Sequence, residues 1–185
     1  MRARAFIALG ILVLVAVQMT LWLRHHHAAL PLAAVDFTLT DQDGKPRSSA
    51  EWRGKLVLVY FGFSHCSAAC PTALAKISEA LEKLGDRAKD VQPLFISIDP
   101  ERDTPARLKE YLKPFHPSFT ALTGSQAQLD AVTRAFGVEV RQMEVGGDIM
   151  LDHTVDIFLM DKEGRVMQRF PVIVTAQTIA DTLPY

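Results

Sequence analysis

Two cysteines are the only thiols in this chain of 185 residues, and both lie in Tyr60-Phe61-Gly62-Phe63-Ser64-His65-Cys66-Ser67-Ala68-Ala69-Cys70-Pro71-Thr72. Thiols at this spacing can close a small disulfide or hold one soft metal ion. Monovalent copper prefers thiolate and thioether donors, and two sulfurs plus an imidazole complete a three-coordinate site. Isolated cysteines are more often small buried apolar residues. A C-x3-C-P at a strand-to-helix junction favours redox or metal chemistry instead. Pro71 suits the first helical position, which makes Cys70 the expected N-cap, where free backbone N–H groups and the helix dipole favour a thiolate.

A third donor must come from elsewhere. His65 adjoins Cys66, but neighbours ahead of a helix tend to point apart, so a supporting or structural role fits it better. His116, in Pro114-Phe115-His116-Pro117, reads as an exposed loop residue. His25, His26 and His27 could catch a metal transiently, although adjacent side chains on a flexible segment make no preorganised site and read more simply as a polar flank. His153 differs from these. In a thioredoxin-like sheet, the start of the strand leading into the final hairpin lies beside the N-terminus of the first helix, and His153 is expected there. Asp152 or a backbone carbonyl would fix its tautomer. Met143 and Met150 are soft donors on the preceding arm, for which hydrophobic packing is the simpler reading.

The elements that must position these residues follow from pattern. Asp36 to Thr40 alternates as a strand and meets a turn at Asp41-Gln42-Asp43-Gly44, giving an N-terminal hairpin. Lys55 to Phe61 is a buried strand, and Pro71 to Leu84 an amphipathic helix that Gly85 ends. Val91 to Ile98 is the next strand, Thr104 caps a helix opening at Pro105, and Leu108, Tyr111, Leu112 and Phe115 form its apolar face. Phe119 to Leu122 is a short strand and Gln126 to Phe136 a helix. Gly137 to Val145 reads as an extended arm with a tip at Gly146-Gly147. Val155 to Met160 and Arg165 to Phe170 form a hairpin about Asp161-Lys162-Glu163-Gly164, and a last helix follows Thr175. This order describes an α/β, thioredoxin-like sandwich with an N-terminal β-hairpin extension.

Composition limits the function classes. Lys+Arg number 20 against 21 Asp+Glu, for a net charge of −1, so no basic footprint for nucleic acid exists. With 49% apolar residues the chain can bury one substantial core, and it holds no internal repeat or low-complexity run. Ala5 to Leu23 is apolar and uncharged, and at ~1.5 Å per residue it spans about 28 Å of a ~30 Å bilayer core. It is too long for the usual signal-peptide apolar region. Residues 1–24 are therefore expected to be a transmembrane anchor, 25–34 a linker and 35–185 the folded domain. Arg2 and Arg4 keep the N-terminus in the cytoplasm, which places the domain outside a bacterial inner membrane, in the periplasm.

Three motifs in order resemble the Sco/SenC family of membrane-anchored copper proteins. They are Tyr60 to Cys66 with Cys70-Pro71-Thr72, then Ser97-Ile98-Asp99-Pro100-Glu101-Arg102-Asp103-Thr104-Pro105, then Asp152-His153-Thr154. The resemblance runs from Asp36 to the last helix. It implies a thioredoxin fold, copper held as Cu(I), with Cu(II) as a second form, by Cys66, Cys70 and His153, and delivery to the CuA centre of cytochrome c oxidase during assembly. The implied partners are oxidase subunit II or a related cuproprotein and a copper donor that the sequence does not identify. Between the cysteines the family commonly has Pro-Asp-Val, whereas this chain has Ser67-Ala68-Ala69. An acidic group beside the site is lost, which bears on metal affinity, redox poise and partner choice. The Asp99 to Pro105 segment carries no evident chemistry, and a strand end plus helix cap accounts for it.

The rival function is a thiol–disulfide oxidoreductase that reduces the cysteines of the oxidase subunit, with Cys66 attacking and Cys70 resolving. His153 separates the two, because disulfide exchange does not need it. A thiol peroxidase would need a Pro-x3-Thr-x2-Cys arrangement, which neither thiol has.

Overall fold

In β3 (Leu56–Gly62) every residue is buried, and Leu58, Val59, Tyr60 and Phe61 have no exposed surface. A run of large apolar side chains buried on both faces marks the centre of a covered sheet, and each such side chain contributes ~1.5–3 kcal/mol on burial. The computed structural model describes residues 33–145 and 148–183, together with Gln18. The expected anchor apart from Gln18, the histidine triplet, most of the 25–34 linker and the Gly146-Gly147 tip lie outside the described residues. Among the described residues no helix is long and apolar enough to cross a membrane.

Seven strands, β1 (Thr38–Asp41), β2 (Pro46–Ser48), β3, β4 (Val91–Ser97), β5 (Thr120–Thr123), β8 (Ile157–Met160) and β9 (Val166–Phe170), form one sheet in the order β2-β1-β5-β4-β3-β8-β9. The hairpin of β1 and β2 is the expected N-terminal extension, and its β1 pairs antiparallel with β5. Strands β5, β4 and β3 run parallel. Strands β8 and β9 close the far side antiparallel. The helices are α1 (Ala69–Leu84), α2 (Pro105–Leu112), α3 (Gln126–Phe136) and α4 (Ala176–Thr182). Helix α1 buries Ala73, Leu74, Ile77, Ala80, Leu81 and Leu84, the apolar face read from the sequence. Thr104 caps α2 by accepting from Arg107 N, with Pro105 following as expected.

Two expectations need correction and a third is incomplete. Helix α1 begins at Ala69 with Ala68 as N-cap, so Cys70 is inside the first turn and does not cap it. The strand into the final hairpin begins at Ile157, not Val155. The extended arm is there as β6 (Val140–Val145), but it pairs with a strand not foreseen, β7 (Asp148–His153), as a separate two-stranded sheet. The two strands are of equal length and satisfy each other's backbone groups along their whole register.

Candidate metal centre

The register of β3 explains why distant residues meet. Tyr60 lies opposite Ile157 of β8 on one side, and Gly62 lies opposite Ser97 of β4 on the other. Residues just after β3, just before β8 and just after β4 therefore share one end of the sheet. This is the end outside the carboxyl termini of the parallel strands, where open α/β sheets place their ligands. The cysteine turn, His153 and the Asp99 to Pro105 segment all fall there.

Cys70 is fully buried. Its Sγ sits over Gly62, where a Cβ would fall 2.7 Å away, so only glycine leaves room for the sulfur. Tyr60 Oη donates to this sulfur at 3.9 Å. Burial pushes the Cys70 thiol up to about 12, aided by the neighbouring Cys66, despite the Phe63 N–H directed at it. The thiolate expected at Cys70 is thus disfavoured.

The helix terminus favours the other sulfur. Partial burial alone would raise the Cys66 pKa, but the N–H groups of Cys70, Ala68 and Ala69 and the Cys70 thiol face it, and the net value is lowered. Cys70 N donates to Cys66 Sγ at 3.5 Å. Free amides and the positive end of the dipole stabilise the anion there. The helix terminus does stabilise a thiolate, but at Cys66 and not at Cys70, because the helix starts two residues before Pro71.

His153 ends β7 and is half-buried among the rings of Tyr60 and Phe63, with centroids at 6.3 and 6.0 Å. Its Nδ1 is 2.8 Å from the Thr154 carbonyl oxygen. A carbonyl only accepts, so Nδ1 carries the proton and Nε2 keeps its lone pair. Of the two candidates for fixing the tautomer, the backbone carbonyl does so. Burial lowers the His153 pKa against the opposing effect of that bond. Nε2 lies 4.0 Å from Cys70 Sγ. Donors that each hold an ion at ~2.0–2.3 Å stand about 4 Å apart, so this separation leaves room for a metal between them. Cys66 completes the chemistry of the set but not its closure. Among the described residues no group of three or more His, Cys, Asp or Glu side chains is drawn together as a metal cage. Two sulfurs and one imidazole suit a soft ion such as Cu(I).

His65 is exposed, with Nδ1 3.4 Å from Ser64 Oγ. His116 is half-buried in the loop after α2, where Nδ1 bonds Ser118 Oγ at 2.7 Å, so it is not the exposed residue expected.

The Asp99 to Pro105 segment does more than end a strand and cap a helix. Asp103 has no exposed surface, and its carboxylate accepts from Ser64 N at 3.2 and 3.0 Å and from Ser97 Oγ at 2.7 Å. Arg107 Nε donates to Ser64 Oγ at 3.0 Å. Arg102 pairs with Asp99 at 2.5 Å and lies 5.9 Å over the Phe63 ring. The backbone leading to Cys66 is therefore tethered to β4 through a buried carboxylate. Sequence reading missed Asp103, Ser97, Ser64 and Gly62. A glycine closing an apolar strand directly before a cysteine was the available signal, because it marks close approach of another group.

Residues 27–184 match the SCO1/SenC family model. A SCO2-like protein of Rickettsia prowazekii is 43% identical over 148 residues, covering 78% of this chain and 72% of its own. The structure of Bradyrhizobium japonicum ScoI with copper bound superposes with a TM-score of 0.74 at 40% identity, over 80% of this chain and 95% of that one. BsSco, described with a disulfide switch and as a member of the Sco family of cytochrome c oxidase assembly proteins, gives a TM-score of 0.66 at 26% identity, over 82% and 92%.

Proposed function

The chain belongs to the SCO1/SenC family, and from that membership we propose that it binds copper and acts in the assembly of cytochrome c oxidase. In finer terms, it is a metallochaperone that holds Cu(I) through Cys66, Cys70 and His153 and passes it by ligand exchange to the CuA site of oxidase subunit II or a related cuproprotein. The observation that carries this reading is the unprotonated His153 Nε2 facing Cys70 Sγ at 4.0 Å. An imidazole aimed at a buried thiol serves a metal better than it serves disulfide exchange. Anaerobic loading of the reduced full-length chain with Cu(I), followed by metal analysis, tests it. One tightly held copper per chain is expected, and no retained copper overturns the reading.

The asymmetry of the thiols supports a second activity on the same atoms. Cys66 is partly exposed with a lowered pKa, while Cys70 is buried with a raised one. Cys66 thiolate attacks a partner disulfide, releasing one partner thiolate and forming a mixed disulfide. Cys70, on losing its proton, attacks Cys66 Sγ, releases the second partner thiol and leaves a Cys66–Cys70 disulfide. Two electrons pass to the partner. Residues 1–24 anchor the chain in the inner membrane, 25–34 link, and 35–185 form the exported domain. A reporter fused after His27 is expected to be active only if it works outside the cytoplasm, and a cytoplasmic signal overturns this topology.

A further inference from the structure

The β6–β7 hairpin does not bury its methionines. Met143 and Met150 are 47% and 41% exposed, which contradicts the packing role read for them from the sequence. The register places them directly opposite each other, where Cβ atoms stand ~4.5–5.5 Å apart. The adjoining pair, Gln142 and Leu151, lines a groove with Ile98 and Gln126. Because successive residues face opposite ways, the methionine pair is turned away from that groove, toward solvent. The flanking Arg141, opposite Asp152, is held by Glu139 at 3.0 Å.

We propose that Met143 and Met150 form a second, weaker site for Cu(I), made of two thioethers on the hairpin that carries His153. Three flexible bonds in each side chain let the sulfurs converge on one ion, and thioether is a donor class that selects Cu(I). A thioether has no proton to lose and cannot close a disulfide, so this pair keeps its donors when Cys66 and Cys70 are oxidised. Two donors leave the ion open to a further ligand, which suits exchange with a partner. Met150 is three residues from His153 on the same strand, roughly 10 Å along it and on its opposite face. An ion released from the pair reaches the reduced cysteine site through a partner or solvent, where two thiolates and an imidazole replace the thioethers, the thiol protons pass to solvent and copper remains monovalent throughout. The biological sense of this site rests on the copper-handling reading above, but its binding chemistry is tested separately.

The experiment adds Ag(I), a redox-inert stand-in for Cu(I), to the full-length oxidised chain carrying methyl-labelled methionine and follows the methyl resonances. Met167 is 44% exposed on β9, and among the described residues it serves as a lone exposed thioether for comparison. Shifts at Met143 and Met150 at lower Ag(I) than at Met167, lost in Met143→Leu/Met150→Leu, are expected. Leucine conserves volume, so the variant keeps its fold. Equal response of Met167, or no response at all, overturns the proposal. Tight Cu(I) retention by the reduced double variant, measured in parallel, is expected to match the unsubstituted chain. Absence of tight retention in both chains counts against the cysteine site and leaves the silver result to decide the methionine pair.

Discussion

Replacing Gly62 by alanine tests how closely the Cys70 sulfur is held. The added Cβ falls 2.7 Å from Cys70 Sγ, 3.0 Å from Phe95 Cε2 and 3.1 Å from Tyr60 Cε1. Non-bonded heavy atoms prefer ~3.5–4.0 Å, so the sulfur must retreat by roughly 1 Å unless the strand and two buried rings give way together. Metal sites tolerate deviations of about 0.2 Å in their distances, and that retreat is several times larger. Overpacking of this kind costs about 1–3 kcal/mol, which leaves the domain folded. Denaturant unfolding of the reduced chain should register that loss. Competition against a Cu(I) chelator should show markedly weaker retention, while alkylation of Cys66 proceeds as before. A folded Gly62→Ala chain that holds Cu(I) as tightly as the unsubstituted protein would refute the placement of Cys70 in the site.

Asp103→Ala leaves the N–H of Ser64 and the hydroxyl of Ser97 buried without their partner. It should destabilise the chain by about 2–5 kcal/mol in denaturant unfolding, since each of the two buried donors left without an acceptor costs about 1–3 kcal/mol, and a loss under 1 kcal/mol would discount the tether. In timed alkylation of the reduced protein near neutral pH, Cys66 should react first and Cys70 stay protected, since the pKa of Cys66 is lowered and that of Cys70 is pushed up to about 12; the reverse order would discredit the thiol assignment. Cys70 also sets an alkaline limit. Between its ordinary value near 9 and about 10, above which the buried Tyr60 and Tyr111 add the same effect, the unfolded chain releases the proton while the folded chain keeps it, so stability of the reduced protein should fall by ~1.4 kcal/mol per pH unit. Cys70→Ser should flatten that slope, and an unchanged slope would place its origin elsewhere. Tight Cu(I) binding should vanish on oxidation and return on reduction, because the disulfide and the metal compete for the same sulfurs. Equal tight uptake by the oxidised chain would refute the shared-cysteine site and leave the histidine triplet His25 to His27 or the pair Met143 and Met150 to hold the ion.

The central strands and the helix faces were legible because their signals are local. Leu56 to Phe61 is a run that only a covered strand accommodates, and Leu74, Ile77, Leu81 and Leu84 repeat at helical spacing. What escaped depends on register and on side chains reaching across the sheet. His153 was placed beside the cysteines by topology, and it lies there, but at the end of β7 rather than at the start of β8. Asp103 looked like loop because nothing in Asp-Pro-Glu-Arg-Asp-Thr-Pro indicates that one of its carboxylates turns inward to meet Ser64. Pro71 marks a helix start in the sequence, which points to Cys70 as the stabilised thiolate. The first turn begins earlier and turns its amides toward Cys66 instead. Met143 and Met150 were read as packing because hydropathy does not distinguish the two faces of a hairpin that has only one of them against the body.

The most direct test of the copper account is X-ray absorption on the reduced full-length chain carrying one Cu(I), compared with His153→Ala. Two sulfur donors and one imidazole nitrogen per copper are predicted for the first. In the variant the imidazole contribution should disappear and retention against a chelator weaken, with the Cys66–Cys70 disulfide still forming on oxidation. An unchanged imidazole signal and equal retention in His153→Ala would contradict the assignment of His153, and with it the site that joins Cys66 and Cys70 to that strand.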